Sequence, residues 1–472
     1  MRLNGLTVRF GLWFVMSVVC VIAQPISQVT AEDRIHSRSK SPFETPPQLR
    51  ARVDFWKDVF TRYGKFDLIV HHRMFPQAVF HVERLEYVVE AMSPADQERF
   101  VAFQEAALKR DVAEVLRFLE RGGKPFSRFE QRIDQAMKLV PGGPEKFSRA
   151  IQDDLIRVQR GIRERHQEAV RRAGRYLPYI EDIFYREGLP IELTRIPFIE
   201  SSFDYEATSS VGAAGIWQFM KGTARSYMTV NSLIDERRDP FIASRAAAKY
   251  LREAYFRLGS WPLAIVSYNH GVAGVAKKVS QLGLDDMAEI VEHPTQRPFG
   301  FASTNFYPEF LAALEIYNER HSLFTGLEDE PALSFRSFEL PTAQTGPALA
   351  RRLGVPIAQL ASLNLALNSA VWRGQAQVPR GYRIFVPTQV APETISFVSY
   401  EKTPQRTTSR NAVRPTPANK GNSASPRAHR VRPGESLSGI AARYKTSVSR
   451  LCAINKCQKN LQAVSGDILK VP

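Results

Sequence analysis

The residues whose types and spacing could do chemistry gather in "RIPFIESSFDYEATSSVGAAGIWQFM", Arg195 to Met220. Glu200 closes an apolar segment containing Leu193, Ile196, Pro197 and Ile199, so its carboxyl is expected to sit against the core. Burial disfavours the charged form and raises a carboxyl pKa, as a general acid working at neutral pH requires. The following "TSSVGAAG" offers hydroxyls, Ser209 among them, and close backbone approach at Gly212 and Gly215, which have no side chain to block a ligand. "IWQFM" adds an aromatic ring, the Gln218 amide and the Met220 thioether. That mixture suits a sugar, with apolar surface for a pyranose face and amides for hydroxyl and acetamido groups. Taken alone, a glutamate followed by two serines reads first as an ordinary helix-boundary composition.

The elements that must position these residues read as helices from Arg171 to Tyr317. "GRYLPYIEDIFYREGLP" carries Leu177, Ile180, Ile183 and Phe184 on one stripe and stops at Gly188 and Pro190. "DPFIASRAAAKYLREAYFRLG" starts with Asp239 as N-cap and Pro240 at the first helical position, and ends at Gly259. "WPLAIVSYNHG" is a short apolar helix ending in Tyr268, Asn269, His270 and Gly271, and "FYPEFLAALEIY" follows with Phe310, Leu311, Leu314 and Tyr317 as its packing face. From Phe55 to Gln167 the pattern is also helical, with Leu85, Val88, Val89, Met92 and later Leu108, Val112, Val115, Leu119 at three- and four-residue steps. His71 and His72 adjoin, but sequence neighbours point apart and no third ligand follows at metal spacing, so packing or surface histidines are expected and no metal or cofactor site.

A chain of 472 residues with 44% apolar content should hold more than one domain. At its N-terminus Arg2 and Arg9 precede an apolar run from Phe10 to Ala23, the pattern of a secretory signal peptide, with an uncleaved anchor as the alternative. Without that leader only Cys452 and Cys457 remain, either a local disulfide or two ordinary thiols. The net charge of +16 is densest in residues 401–433, rich in Pro, Ser, Thr and Asn, which reads as an extended disordered linker rather than a base-reading element. For an exported protein the anionic partner is cell-wall polymer or lipid headgroups, not nucleic acid. An internal repeat brackets this linker: "LARRLGVPIAQLASLN" (349–364) aligns with "IAARYKTSVSRLCAIN" (440–455), and both copies finish in a glycine-led strand ending Val-Pro. Each is a unit of two short helices and a strand-like exit, expected to hang behind the helical domain as a separate module.

The run "ESSFDYEATSSVGAAGIWQFMKGTA", then "DERRDPFIASRAAAKYL", then "WPLAIVSYNHG", resembles the catalytic domain of the soluble-type lytic transglycosylases and their goose-type lysozyme relatives. The carrying positions are Glu200-Ser201, Ser209, Gly212-Ala213-Ala214-Gly215, Gln218 with Met220, Thr223-Ala224, and Tyr268-Asn269 with Gly271. The repeats, above all "RVRPGESLSGIAARYKTSVSRLCAIN", resemble peptidoglycan-binding LysM modules, and their order resembles the membrane-bound murein transglycosylase D group. The first repeat departs by lacking the Pro-Gly-Glu-Ser opening, and Ser303 and Thr304 stand where many relatives carry a second acid.

The resemblance implies a mainly α fold, with a lysozyme-like all-helical catalytic domain and small α+β LysM modules at the C-terminus. The expected divisions are 1–23 signal peptide, 24–50 flexible lead-in, 51–170 helical N-terminal region, 171–325 catalytic domain, 334–388 divergent LysM-like module, 401–429 basic disordered linker and 430–472 LysM domain. It implies an exported envelope enzyme that cuts between N-acetylmuramic acid and N-acetylglucosamine of peptidoglycan and leaves a 1,6-anhydromuramyl end, with peripheral membrane association compatible. Glu200 is the implied catalytic residue, and Ser209, Gln218, Met220, Tyr268 and Asn269 the implied substrate contacts. The rival readings are a lysozyme-type hydrolase in which Asp204, four residues after Glu200 and on its face if the helix continues, activates water, and a non-catalytic wall-binding scaffold.

Overall fold

The computed structural model describes residues 41–293, 299–391, 394–395, 427–430, 440, 443, 444, 446 and 468–471. The expected signal peptide, most of the expected basic linker, most of the final repeat and the pair Cys452 and Cys457 lie outside the described residues. The chain divides into two compact units, Met1–Thr403 and Pro404–Pro472.

In chain order the first unit opens with α1 (Arg50–Thr61), β1 (Asp67–His72), β2 (Val79–Arg84), α2 (Glu86–Val89), α3 (Pro94–Glu120), α4 (Arg128–Lys138), α5 (Glu145–Gln152) and β3 (Ile156–Arg160). The expectation of an entirely helical stretch here is corrected: β1 is the centre of an antiparallel sheet of order β2-β1-β3, with Val70 opposite His81 on one side and Val158 on the other. The run Leu68, Ile69, Val70 is buried on both faces, so it lacks the alternation that marks a half-exposed strand and reads ambiguously between helix and strand. The helical periodicity itself holds in α3, where Leu108, Val112 and Leu119 are buried. His71 and His72 are packing residues; burial pushes the His71 imidazole down to about 3, and its ring lies against Phe55.

Next come α6 (Arg163–Arg186), α7 (Ile196–Glu200), α8 (Lys221–Ala224), α9 (Pro240–Leu258), α10 (Trp261–His270), α11 (Val272–Leu282), α12 (Met287–Val291) and α13 (Phe301–Leu323). Local chemistry sets the ends of α9: Asp239 accepts from the Phe241 and Ile242 backbone N–H groups, and Gly259 turns the chain at φ 70°. The division expected between residues 170 and 171 falls inside α6. One apolar cluster runs without a break from Phe43 and the α1 residues Val53, Trp56 and Phe60 through α6 and α9 to Phe310 and Phe385. Arg52 and Trp56 on α1 tie into it by polar contacts: Arg52 Nη1 and Trp56 Nε1 both donate to Asn305 Oδ1 on α13, at 3.2 and 3.1 Å, and Arg52 Nε donates to Glu292 at 3.0 Å. A buried cation is tolerated only with such partners, and here they hold the N-terminal segment to α13.

The first repeat forms β4 (Phe335–Glu339), β5 (Gln344–Thr345), α14 (Gly346–Leu353), α15 (Ile357–Leu363), α16 (Ser369–Trp372), β6 (Gln377–Val378) and β7 (Arg383–Pro387), with β4 antiparallel to β7. It does not hang free, which corrects the expectation of a separate module: Phe335 and Phe385 pack on Phe241 of α9 at 4.9 and 5.3 Å, and Tyr179 Oη donates to the Leu333 carbonyl. In the second unit β8 (Arg427–Arg430) pairs antiparallel with β9 (Ile468–Val471), and the His429 ring lies within hydrogen-bond distance of Tyr444 Oη at 3.0 Å. The chain is therefore mainly α, with small α+β pieces at its C-terminal end.

Candidate active site

Glu200 is the last residue of α7, whose Ile196, Pro197 and Phe198 are buried. The helix cannot continue, because Ser202 and Phe203 both take left-handed backbone angles, φ 56° and 55°, which turn the chain away at once. Two consequences follow. Glu200 is left at the helix end, half-buried, and burial pushes its carboxyl up to about 8 with no hydrogen bond or ion pair to the group among the described residues. Asp204 does not share its face; the Asp204 carboxylate accepts from the Glu206 backbone N–H at 2.9 Å, closing the turn.

Ser201 is buried and donates to the Ile216 carbonyl at 2.8 Å, tying the end of α7 to the glycine loop. That loop is held by its own ladder: Ser209 N–H donates to the Ala213 carbonyl at 2.9 Å, Ala213 N–H to Ser209 Oγ at 2.9 Å, and Gly215 N–H to the Ala207 carbonyl at 3.0 Å. Gly215 has φ 75°, and a Cβ there would lie 1.8 Å from the Arg237 carbonyl oxygen, so only glycine fits. Gln218, at φ 47°, donates its side-chain amide to the Gly215 carbonyl at 2.8 Å, which leaves its Oε1 for a ligand. Met220 is 44% exposed and Val211 73% exposed, so the thioether is surface and not core.

The far wall is α10. Tyr268 Oη donates to the Trp217 carbonyl at 2.8 Å, while Trp217 itself is buried, stacked on Phe184 and donating to Ser244 Oγ. Burial and then the nearby Glu200 carboxylate hold the Tyr268 phenol well above its ordinary value. Asn269 is exposed, and its Oδ1 accepts from the buried Ser303 on α13 at 2.6 Å. Ser303, where an acid was looked for, thus fixes the Asn269 side chain and leaves its Nδ2 donors outward-available.

The sequence reading missed Glu309, on α13. Burial and, second, the Glu200 charge push its carboxyl up to about 8, with Arg157 acting in the opposite direction. Two carboxyls that feel each other's charge cannot both ionise near neutrality. The signal for Glu309 was a lone acid inside the apolar run "FYPEFLAA", which sequence spacing alone could not connect to a site more than a hundred residues earlier. Among the described residues no cluster of histidine, cysteine, aspartate or glutamate could hold a metal ion.

The geometry finds its counterpart in known proteins. The Transglycosylase SLT domain matches residues 185–290 and the LysM domain matches residues 429–472. The chain is 26% identical over 315 residues to the membrane-bound lytic murein transglycosylase D of Escherichia coli strain K12, a match covering 62% of this chain and 65% of that protein, and the same figures hold for Escherichia coli O6:H1 strain CFT073. A solved structure of the lytic transglycosylase Slt of Pseudomonas aeruginosa, an inactive mutant, is 18% identical and covers 48% of this chain and 39% of that one at a TM-score of 0.23, too low for the superposition to bear on the argument. The match to the curated relatives thus spans somewhat under two thirds of their length. Residues 185–290, which hold Glu200, the glycine loop and Tyr268, are a transglycosylase SLT domain, and the chain that carries them together with a C-terminal LysM domain is a homologue of membrane-bound lytic murein transglycosylase D.

Proposed function

We propose that the protein is a peptidoglycan lytic transglycosylase in which Glu200 serves as acid and then as base. The observation that carries this is a carboxyl, half-buried and raised to about 8, at the head of the matched domain beside the glycine loop. Such a group is roughly nine-tenths protonated at pH 7 and can donate to the glycosidic oxygen between N-acetylmuramic acid and N-acetylglucosamine. The C1–oxygen bond breaks, the N-acetylglucosamine side leaves as its alcohol, and the substrate's acetamido oxygen supports the cationic C1. Glu200, now a carboxylate, takes the proton of the muramyl C6 hydroxyl, whose oxygen bonds to C1. A 1,6-anhydro end forms, water is not consumed, and Glu200 is returned protonated.

In this reading Gln218 Oε1 and the Asn269 amide accept and donate to substrate hydroxyl and acetamido groups, and Ser209, whose oxygen already accepts from Ala213 N–H, donates its hydroxyl proton. Met220 forms exposed apolar surface for a sugar face. Tyr268 donates its hydroxyl hydrogen to the Trp217 carbonyl, so toward Glu200 it offers a lone pair and position rather than a donor. The LysM domain would keep the enzyme on wall glycan in the cell envelope, and no helix among the described residues is long and apolar enough to cross a membrane.

The hydrolase reading loses its second acid, since Asp204 caps a turn. Burial and then the Glu200 charge hold Glu309 mostly in its protonated form near neutrality. Mass analysis of fragments released from purified cell wall tests the proposal: anhydromuramyl ends support it, and reducing ends that carry added water overturn it.

A further inference from the structure

The loop Thr229–Asp239 joins two parts of the first unit that have no sequence relation. On one side it enters the first repeat. Ile234 is buried in that repeat's own apolar cluster with Leu349, Leu353, Leu360 and Val371. Ile234 bridges to Leu367, Asp235 N–H donates to the Ala366 carbonyl at 2.8 Å, and Asn368 N–H donates to the Leu233 carbonyl at 3.0 Å. On the other side stands Arg237, almost wholly buried. Its Nε and Nη2 donate to the two carboxylate oxygens of Asp235 at 2.8 and 2.7 Å, a bidentate pair that fixes the guanidinium plane. Its Nη1 then donates to the carbonyls of Gly212 at 2.8 Å and Phe219 at 2.9 Å, the two limbs of the glycine loop. Arg238 adds a bond from Nη2 to Thr208 Oγ1 at 2.7 Å.

We infer that the first repeat is a positioning device for the glycine loop: it grips Leu233–Asp235, Asp235 orients Arg237, and Arg237 clamps the loop that presents Ser209 and Gln218. The repeat's loop Ala366–Asn368 is thereby engaged with the SLT domain. Lysine at 237 cannot reproduce the device, because one ammonium cannot make a planar bidentate pair and also bridge two carbonyls. The inference concerns the loop of the transglycosylase reading, and its first readout does not depend on that activity.

Hydrogen exchange of the Ser209, Gly212 and Gly215 amides in the full chain, with wall-cleavage kinetics beside it, tests this. Ile234→Ala, which empties the socket in the repeat, and Arg237→Lys should each speed exchange of those amides by about tenfold and lower kcat more than they raise KM. Exchange in α6 should stay as in the parent, and Ile234→Val should behave as the parent. The double variant should be no faster than the faster single. Unchanged loop exchange in Ile234→Ala, additive single effects, or acceleration spread evenly over the whole unit would each overturn the inference. A parent protein that cleaves no wall would sink the transglycosylase reading while leaving the exchange result to decide this one.

Discussion

Tyr268 Oη donates to the Trp217 carbonyl at 2.8 Å, so a phenol that feels the Glu200 charge is also the pin that holds the glycine loop on α10. Tyr268→Phe leaves a carbonyl without its donor in a crowded site, at a cost of about 1–3 kcal/mol. Urea denaturation should show this loss, and wall cleavage should fall with it.

Glu200→Gln should lower wall cleavage by roughly 10²–10⁴-fold, the range of a lost general acid. It should also change stability with a definite sign. An unfolded glutamate ionises at its ordinary value, whereas the folded one keeps its proton up to about 8. The folded state therefore binds more protons between those two values, and stability conferred on the acidic side is lost as pH rises through that window. Melting curves should show the Gln variant gaining on the parent from pH 5 upward and the difference levelling off above the folded pKa.

Glu309 feels the Glu200 charge after the larger effect of its own burial. Removing that charge in Glu200→Gln should lower the Glu309 pKa below about 8, while burial keeps it above an ordinary carboxyl. Side-chain carboxyl carbon shifts followed through a pH titration measure this, and an unmoved Glu309 would show the two groups to be independent.

Asp204→Asn should leave both the rate and the anhydro product intact, since an asparagine oxygen can still accept from Glu206 N–H. A fall of tenfold or more in kcat would restore the hydrolase alternative.

Much of the site was legible because its parts are local. Asp239 as N-cap, Gly259 as stop, and Glu200 at the end of an apolar helix each depend on neighbours within a few residues. What escaped depends on long-range pairing. The strand Asp67–His72, buried on both faces, has no alternation to betray it. The condition under which Asp204 would share the face of Glu200, a helix running on past it, is not met, because Ser202 and Phe203, neither of them glycine, take left-handed angles. Glu309 and the docking of the first repeat arise from contacts across a hundred residues and more, to which no periodicity points.

The bonds from Arg52 and Trp56 to Asn305 also bear on where this protein can be cut. The segment that matches the Transglycosylase SLT domain, residues 185–290, contains neither α1 nor α13, and most of α6 lies before it. Excised, it would uncover the faces that Trp56, Leu177 and Phe310 now cover. The matched domain is thus shorter than the body its apolar core runs through, and a piece cut at the domain borders would expose surface that the intact first unit keeps covered.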